Sequence, residues 1–278
     1  HRSIEKRNLF VFNNDCEDKQ IPFFDASVVN TGQLAAWNWD FGNNQTSSSQ
    51  NPPPQNFNSA GFYQVSLTVQ SDFGCEDDTT QTIEIYPVPT ANFTFDSVCF
   101  GLENHFIDLS NANGAYPIDT WNWDFSDQQN ATVQNPTIAF DQYGLYNATL
   151  TVFTAAGCSD EVTLGNAVVH PLPVPAFDPA IKNCLNDTTW FEDASSVPNL
   201  LNDAIVSWNW DFADGNTSSQ PDDSNVYSQF GFYPVSLITV TDKGCSDTIV
   251  QNVEIYPLPE VSFTSDVTEG CQPLRVLF

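Results

Sequence analysis

Seven cysteines, at positions 16, 75, 99, 158, 184, 245 and 271, give the chain its first chemical signal through their regularity. Cys16 and Cys75, Cys99 and Cys158, and Cys184 and Cys245 are separated by 59, 59 and 61 residues. Such recurrence, with no Cys-x-x-Cys pair, points to disulfides formed in an oxidising compartment and away from a zinc site. Two connectivities fit the spacing. Pairing within units joins Cys16 to Cys75, Cys99 to Cys158 and Cys184 to Cys245, leaving Cys271. Pairing across joints links Cys75 to Cys99, Cys158 to Cys184 and Cys245 to Cys271, leaving Cys16. The first is preferred because it closes each unit independently, and each loop of about 60 residues would add roughly 3–4 kcal/mol through the unfolded state. Its difficulty is that the two cysteines of a unit are expected at opposite ends.

Carboxylates are the next group with chemical capacity. Asp40, Asp124 and Asp211 each follow a Trp-Asn-Trp triplet. An Asp there closes a strand by accepting backbone N–H bonds, and carboxylates at loops can also ligate calcium. Asp72, Asp214 and Asp242, at turns, are the candidate calcium ligands, and no other cofactor is expected. Only three His occur, His1, His105 and His170, and none recurs by unit. A nucleophile elbow, a His-Glu-x-x-His pair, a phosphate-binding glycine loop and an EF-hand are all absent from the sequence. An active site is singular, whereas the reactive residue types here come in repeated sets, so no enzyme activity is expected.

Charge narrows the partners. The 278 residues hold 7 Lys and Arg against 35 Asp and Glu, a net charge of -28. Binding a phosphate backbone requires clustered bases, which the body of the chain lacks, so nucleic acid is excluded as a partner. No apolar run is long enough to cross a bilayer, and membrane insertion of this segment is not expected. With 41% hydrophobic and 13% aromatic residues the chain can still build packed cores. It contains no Met, which suggests an internal piece of a longer protein.

These residues are positioned by a repeat. Trp37-Asn38-Trp39-Asp40-Phe41 returns at Trp121–Phe125 and Trp208–Phe212, at spacings of 84 and 87 residues. Gly61-Phe62-Tyr63-Gln64-Val65-Ser66-Leu67-Thr68-Val69 returns at Gly144–Val152 and at Gly231–Val240. The third copy reads as one residue longer, which predicts a bulge there. A Gly-Cys step follows in each copy, and Tyr86-Pro87-Val88-Pro89, His170-Pro171-Leu172-Pro173 and Tyr256-Pro257-Leu258-Pro259 close the units. The expected organisation is a linker at 1–7, repeats at 8–87, 88–172 and 173–258, and the start of a fourth at 259–278. Within a unit the apolar period is two, the pattern of half-buried strands. Trp37 and Trp39 share a strand face, so both face the core, or the first sits at its rim. A carbohydrate-binding platform is the alternative for Trp37, Trp39, Trp121, Trp123, Trp208 and Trp210.

Trp-Asn-Trp-Asp-Phe followed by a polar turn, then Gly-Phe-Tyr-x-Val-Ser-Leu-Thr-Val about 20 residues on, resembles the polycystic kidney disease (PKD) domain. The likeness runs from about Asn8 to Phe278 and departs from the family pattern in the turn, at Gly42-Asn43-Asn44 and Ser126-Asp127-Gln128. It implies an all-β fold of tandem immunoglobulin-like sandwiches in an extended array. It also implies an extracellular or cell-surface location, in the manner of large adhesins of gliding and biofilm-forming bacteria. Partners would then be other repeats of the chain and an extracellular protein or polysaccharide surface. The role expected is a stalk or adhesion array. The alternatives are accessory substrate-binding modules of a secreted peptidase or glycan hydrolase, or a subunit of an extracellular filament or sheath. Thr79, Ser97, Thr188 and Thr248 lie in Asp-Ser/Thr triplets similar to an O-glycosylation motif of secreted bacterial surface proteins.

Overall fold

The computed structural model describes residues 10–11, 14–179 and 183–264, and every regular element among them is a β-strand. In the first repeat, the alternation of Tyr63, Val65, Leu67 and Val69 with polar residues yields the 11-residue strand Gly61–Ser71. Its inward residues Val65, Leu67 and Val69 are fully buried. It folds back onto Glu76–Tyr86 in unbroken antiparallel register, from Gly61 opposite Ile85 to Gln70 opposite Glu76. The turn needs Gly74, which sits at φ +80° and donates its N–H to the Ser71 carbonyl at 2.9 Å.

Leu34–Asp40 and then Thr46–Ser47 extend this sheet on one side. On the other, Asp15–Cys16 runs parallel to the end of Glu76–Tyr86, with Cys16 opposite Tyr86. The facing layer includes the pair Gln20–Ile21 and Gln55–Asn56. Ile21 and Phe23 from that side meet Trp39, Phe41, Val65, Leu67, Val69, Ile83 and Ile85 in one core. That sheet-on-sheet burial is the arrangement of a β-sandwich.

The second and third repeats are built alike. A five-stranded sheet orders Val98–Cys99, Ser159–His170, Gly144–Thr154, Ile118–Phe125 and Asn130–Ala131, opposite Phe93–Phe95, Glu103–Asp108 and Thr137–Ala139. The third repeat orders Thr217–Ser218, Ile205–Asp211, Gly231–Thr241 and Ser246–Ile255, opposite Phe177–Pro179, Thr188–Asp193 and Asp223–Val226. The fold is therefore all-β, with tandem immunoglobulin-like sandwiches. The chain divides into two compact units. One is His1–Ser97, Glu103–Phe140 and Leu145–Val168, and the other is Val98–Leu102, Asp141–Gly144 and Val169–Phe278.

The predicted bulge in the third copy is not there. Gly231–Thr241 pairs with Ser246–Ile255 in continuous register from Gly231 opposite Ile255 to Val240 opposite Ser246. It has the same length and inward pattern as Gly61–Ser71. The apparent extra residue came from aligning Val240 with Val69. Thr239 occupies the inward place instead, fully buried, and its Oγ1 has no hydrogen-bond partner. The irregularity lies one strand away and in every copy, as a register shift at Leu34/Ala36, Ile118/Thr120 and Ile205/Ser207, just before the Trp pair.

Candidate functional site

The six indoles of the signature each have an internal partner. Trp39, Trp123 and Trp210 are buried, and each stacks on the Phe two residues later, with ring centroids 5.9, 6.2 and 6.1 Å apart. Their indole N–H groups donate to the carbonyls of Ser49, Val133 and Gln220, each ten residues on, at 2.9, 3.0 and 2.9 Å. Trp37, Trp121 and Trp208 are partly buried at the rim. Their Nε1–H groups donate to carboxylates that the sequence did not single out: Asp25 at 2.8 Å, Asp108 at 2.8 Å and Asp193 at 2.7 Å.

These carboxylates are clamped. The other oxygen of each accepts the backbone N–H two residues later, from Ser27, Ser110 and Ser195. Gln50 and Gln134 add a third donor in the first two repeats. The third repeat has Pro221 at that position and lacks it. Burial opposes ionisation of Asp108, but the bonds from Ser110, Gln134 and Trp121 outweigh it and hold its carboxyl below the usual range. The legible signal was Asp-x-Ser, at Asp25-Ala26-Ser27, Asp108-Leu109-Ser110 and Asp193-Ala194-Ser195. It stands 12, 13 and 15 residues before the first Trp of each unit, and that drift in spacing hid it.

Of the signature aspartates, Asp40 and Asp211 close turns, accepting the N–H of Gly42 and of Ala213 at 2.9 Å. Asp124 lies in the same place in its strand, Ile118–Phe125. The calcium candidates are far apart in the sequence, and two of the three are occupied by donors. Asp214 accepts from the Asn216 backbone and from the side chains of Asn216 and Asn225. Asp242 accepts from Ala204 N–H at 3.0 Å and from Lys243 Nζ at 2.7 Å. Asp72 is exposed at the Phe73-Gly74 turn. Among the described residues, no three His, Cys, Asp or Glu side chains converge to hold a metal. Ser97, Thr188 and Thr248 are exposed and Thr79 is partly so. His105 Nδ1 bonds Asp96 at 2.8 Å.

The cysteines pair in a way that neither connectivity anticipated. Cys16 is bridged to Cys158 and Cys99 to Cys245, with Cα–Cα distances of 5.7 and 5.5 Å, while Cys75 and Cys184 are free. The preferred Cys16–Cys75, Cys99–Cys158 and Cys184–Cys245 pairs are therefore incorrect, and so is Cys75–Cys99. The reason is strand length. Cys16 pairs with Tyr86 at one end of Glu76–Tyr86, and Cys75 precedes its other end, so the 11-residue strand holds them about 33 Å apart. No disulfide spans that. The first cysteine of one repeat instead meets the turn cysteine of the next.

The proline joints are packed by pairs that differ. In the first unit Tyr86 meets Tyr116 edge-on at 4.9 Å, and Tyr116 Oη donates to Glu84 at 2.9 Å, a bond that raises the Tyr116 pKa. In the second unit His170 Nδ1 lies 2.9 and 3.2 Å from the two oxygens of Asp203, whose side chain is fully buried. Near that joint, Phe100, Asp141, Gln142, Tyr143 and Leu200 line a groove of about 410 Å³. Another, of about 370 Å³, lies beside Trp37, Gln70 and Glu76.

Compared with known proteins, residues 10–87, 86–168 and 172–255 each match the family model described as the PKD domain. A stretch of 138 residues is 28% identical to the pre-pro-metalloprotease PrtV of Vibrio cholerae serotype O1. That stretch is 48% of this chain and only 14% of the protease. The crystal structure of the PrtV PKD1 domain is 30% identical, covers 31% of this chain and 98% of that domain, and superposes with a TM-score of 0.27. The PKD1 domain of Vibrio anguillarum Epp is 37% identical over 27% of this chain and 87% of that one, with a TM-score of 0.26.

Proposed function

Because the chain belongs to the PKD domain family, we propose that it is a non-catalytic segment of a large secreted or cell-surface protein, serving as a stalk and as an array that meets an extracellular protein or polysaccharide surface. One observation carries this reading. In all three repeats the indoles and carboxylates with most chemical capacity are bonded to each other and to the backbone, so the recurrent features build the repeat and leave no reactive constellation. The two disulfides suit an oxidising, extracellular setting. Net acidity suits a soluble array whose neighbouring repeats repel over a screening length of about 8–10 Å. Small-angle scattering of the chain across a salt series tests the stalk. An elongated particle that shortens as salt rises is expected, and a compact, salt-insensitive one refutes it.

A second reading, as accessory modules that hold a polymeric substrate, is favoured by the Phe100 and Tyr143 groove, where two aromatic rings stand beside Asp141 and Gln142. Retention of the chain on insoluble polysaccharide or protein fibres, lost on Tyr143→Ala, would support it. Equal retention of the variant would count against it.

A further inference from the structure

We propose that the groove lined by Phe100, Asp141, Tyr143 and Leu200 takes the basic side chain, arginine or lysine, of an extracellular protein partner, a step that rests on the reading of this groove as one that holds a polymeric substrate. Phe100 and Tyr143 meet edge-on there, with ring centroids 6.4 Å apart and planes at 85°. Two rings at right angles form a corner, not a platform. A sugar ring stacks on one open aromatic plane, whereas a compact cation can sit over one ring of a corner with its alkyl stem along Leu200.

The other repeats show that building the fold does not require this groove. Glu17, Phe100 and Leu185 hold one backbone position, donating N–H to the carbonyls of Tyr86, His170 and Tyr256 at 2.9, 2.8 and 2.9 Å. Ala60, Tyr143 and Phe230 hold another, just before the glycine that opens each long strand, and Asn58, Asp141 and Ser228 lie two residues earlier. In the first repeat the Glu17 carboxylate closes this place from within, accepting the N–H of Ala60 and of Val88, both at 3.0 Å. In the second a phenyl ring stands where that carboxylate was, and the acid is on the loop instead. Asp141 is exposed and takes part in no hydrogen bond or ion pair among the described residues. In the third, Leu185 and Phe230 are apolar and Ser228 has no charge. Of the three, the second repeat alone sets an unpaired carboxylate beside two rings.

Carboxylate and rings select the same ligand. The faces of aromatic rings are electronegative, so they attract a cation as Asp141 does. No Lys or Arg lines the groove. The net charge of -28 adds a field that favours an incoming base and repels an anionic polymer. A guanidinium satisfies both groups at once, stacking flat on a ring while its N–H groups donate to the Asp141 carboxylate. Each of these contacts is exposed and weak by itself, so a single basic side chain should bind in the millimolar range.

The test is a nuclear magnetic resonance titration of the isotopically labelled full chain with the end-blocked tripeptide Gly-Arg-Gly, its citrulline counterpart, which keeps the shape and loses the charge, and cellohexaose. The arginine peptide should move the Phe100, Gln142 and Tyr143 amides saturably and leave those of Ala60 and Phe230 still. Citrulline should bind at least about 5-fold more weakly, and Asp141→Asn should weaken arginine binding by about 3- to 5-fold. Tyr143→Ala should abolish the movement. Asp141 and Tyr143 are both exposed, so unmoved amides elsewhere in the chain confirm that the variants fold. Equal binding of citrulline, indifference to Asp141→Asn, tighter binding of cellohexaose or no movement of the groove amides by any probe would each overturn the proposal. Retention on fibres that depends on Tyr143 but not on Asp141 would overturn the basic ligand and leave the groove reading standing, whereas retention indifferent to Tyr143→Ala would overturn both.

Discussion

Thr239→Val should stabilise the third repeat. Thr239 is fully buried at the inward position held by Val69 and Val152 in the other copies, and its hydroxyl has no partner. A buried hydroxyl that has lost water without gaining a hydrogen bond costs about 1–3 kcal/mol. Val has the same branched shape, so the pocket needs no repacking, and the new methyl adds roughly 0.8 kcal/mol of apolar burial. Discounting for relaxation around the hydroxyl, a net gain of about 1–3 kcal/mol is expected, or about 5- to 150-fold in an opening equilibrium. Whole-chain melting mixes the repeats, so the assay is deuterium exchange of the amides of residues 235–241, which reports opening of this sandwich alone. Protection should rise by that factor there and stay unchanged in residues 65–71. The converse change, Val69→Thr, should lower protection of the first repeat by a comparable factor. Unchanged or lower protection in Thr239→Val, or a neutral Val69→Thr, would show that the hydroxyl is solvated in place and refute the reasoning.

Asp108→Ala removes the acceptor for Trp121 and Gln134 and should cost about 1.5–3 kcal/mol, read as lost protection in the second repeat. Asp193→Ala should cost less, because Pro221 already denies that clamp its third donor. The folded Asp108 carboxyl is held below the ordinary value of 3.8, so its contribution is present above that pH and is lost as pH falls through the lower folded value. Acid titration of Asp108→Asn should therefore show a flatter decline. Burial first, with the charges of Asp214 and Asp211 adding, pushes Tyr227 from 10.0 up to about 12. The third repeat should keep its stability below pH 10 and lose roughly 2–3 kcal/mol as pH rises towards 12. Tyr227→Phe, which restores the residue type of Phe57 and Phe140, should abolish that loss.

The repeat and its all-β fold were legible because the signals that define them are local. Alternation in Gly61–Ser71 and the Trp-Asn-Trp-Asp-Phe pentapeptide each specify a strand within a few residues, and recurrence removes chance. The rim position of Trp37, Trp121 and Trp208 was within reach of the same reasoning. Their carboxylate partners were not, since a side-chain hydrogen bond between strands of different sheets joins Asp25 to Trp37, across an interval whose length varies from copy to copy. Thr239 misled because matching by residue type favours Val240, while register is set by the hairpin turn before Cys245. Cysteine spacing failed for a different reason. Intervals report how a repeat recurs and carry no information on which ends of two sandwiches meet, and an 11-residue strand is what separates Cys16 from Cys75.

The two bridges overlap along the chain, since Cys99 precedes Cys158, and this bears on what pulling can do. If the cores were torn open under tension, the shortest covalent route from Cys16 to Cys245 would cross to Cys158, run back over 59 residues to Cys99, and cross again to Cys245. Drawn taut, that route measures about 200 Å, against about 800 Å for the roughly 230 residues between the same points without bridges. About three-quarters of the slack that unfolding would otherwise release is locked away. Interlaced in this manner, the cross-links fix the greatest reach between Cys16 and Cys245 by covalent bonds, whatever happens to the domains themselves.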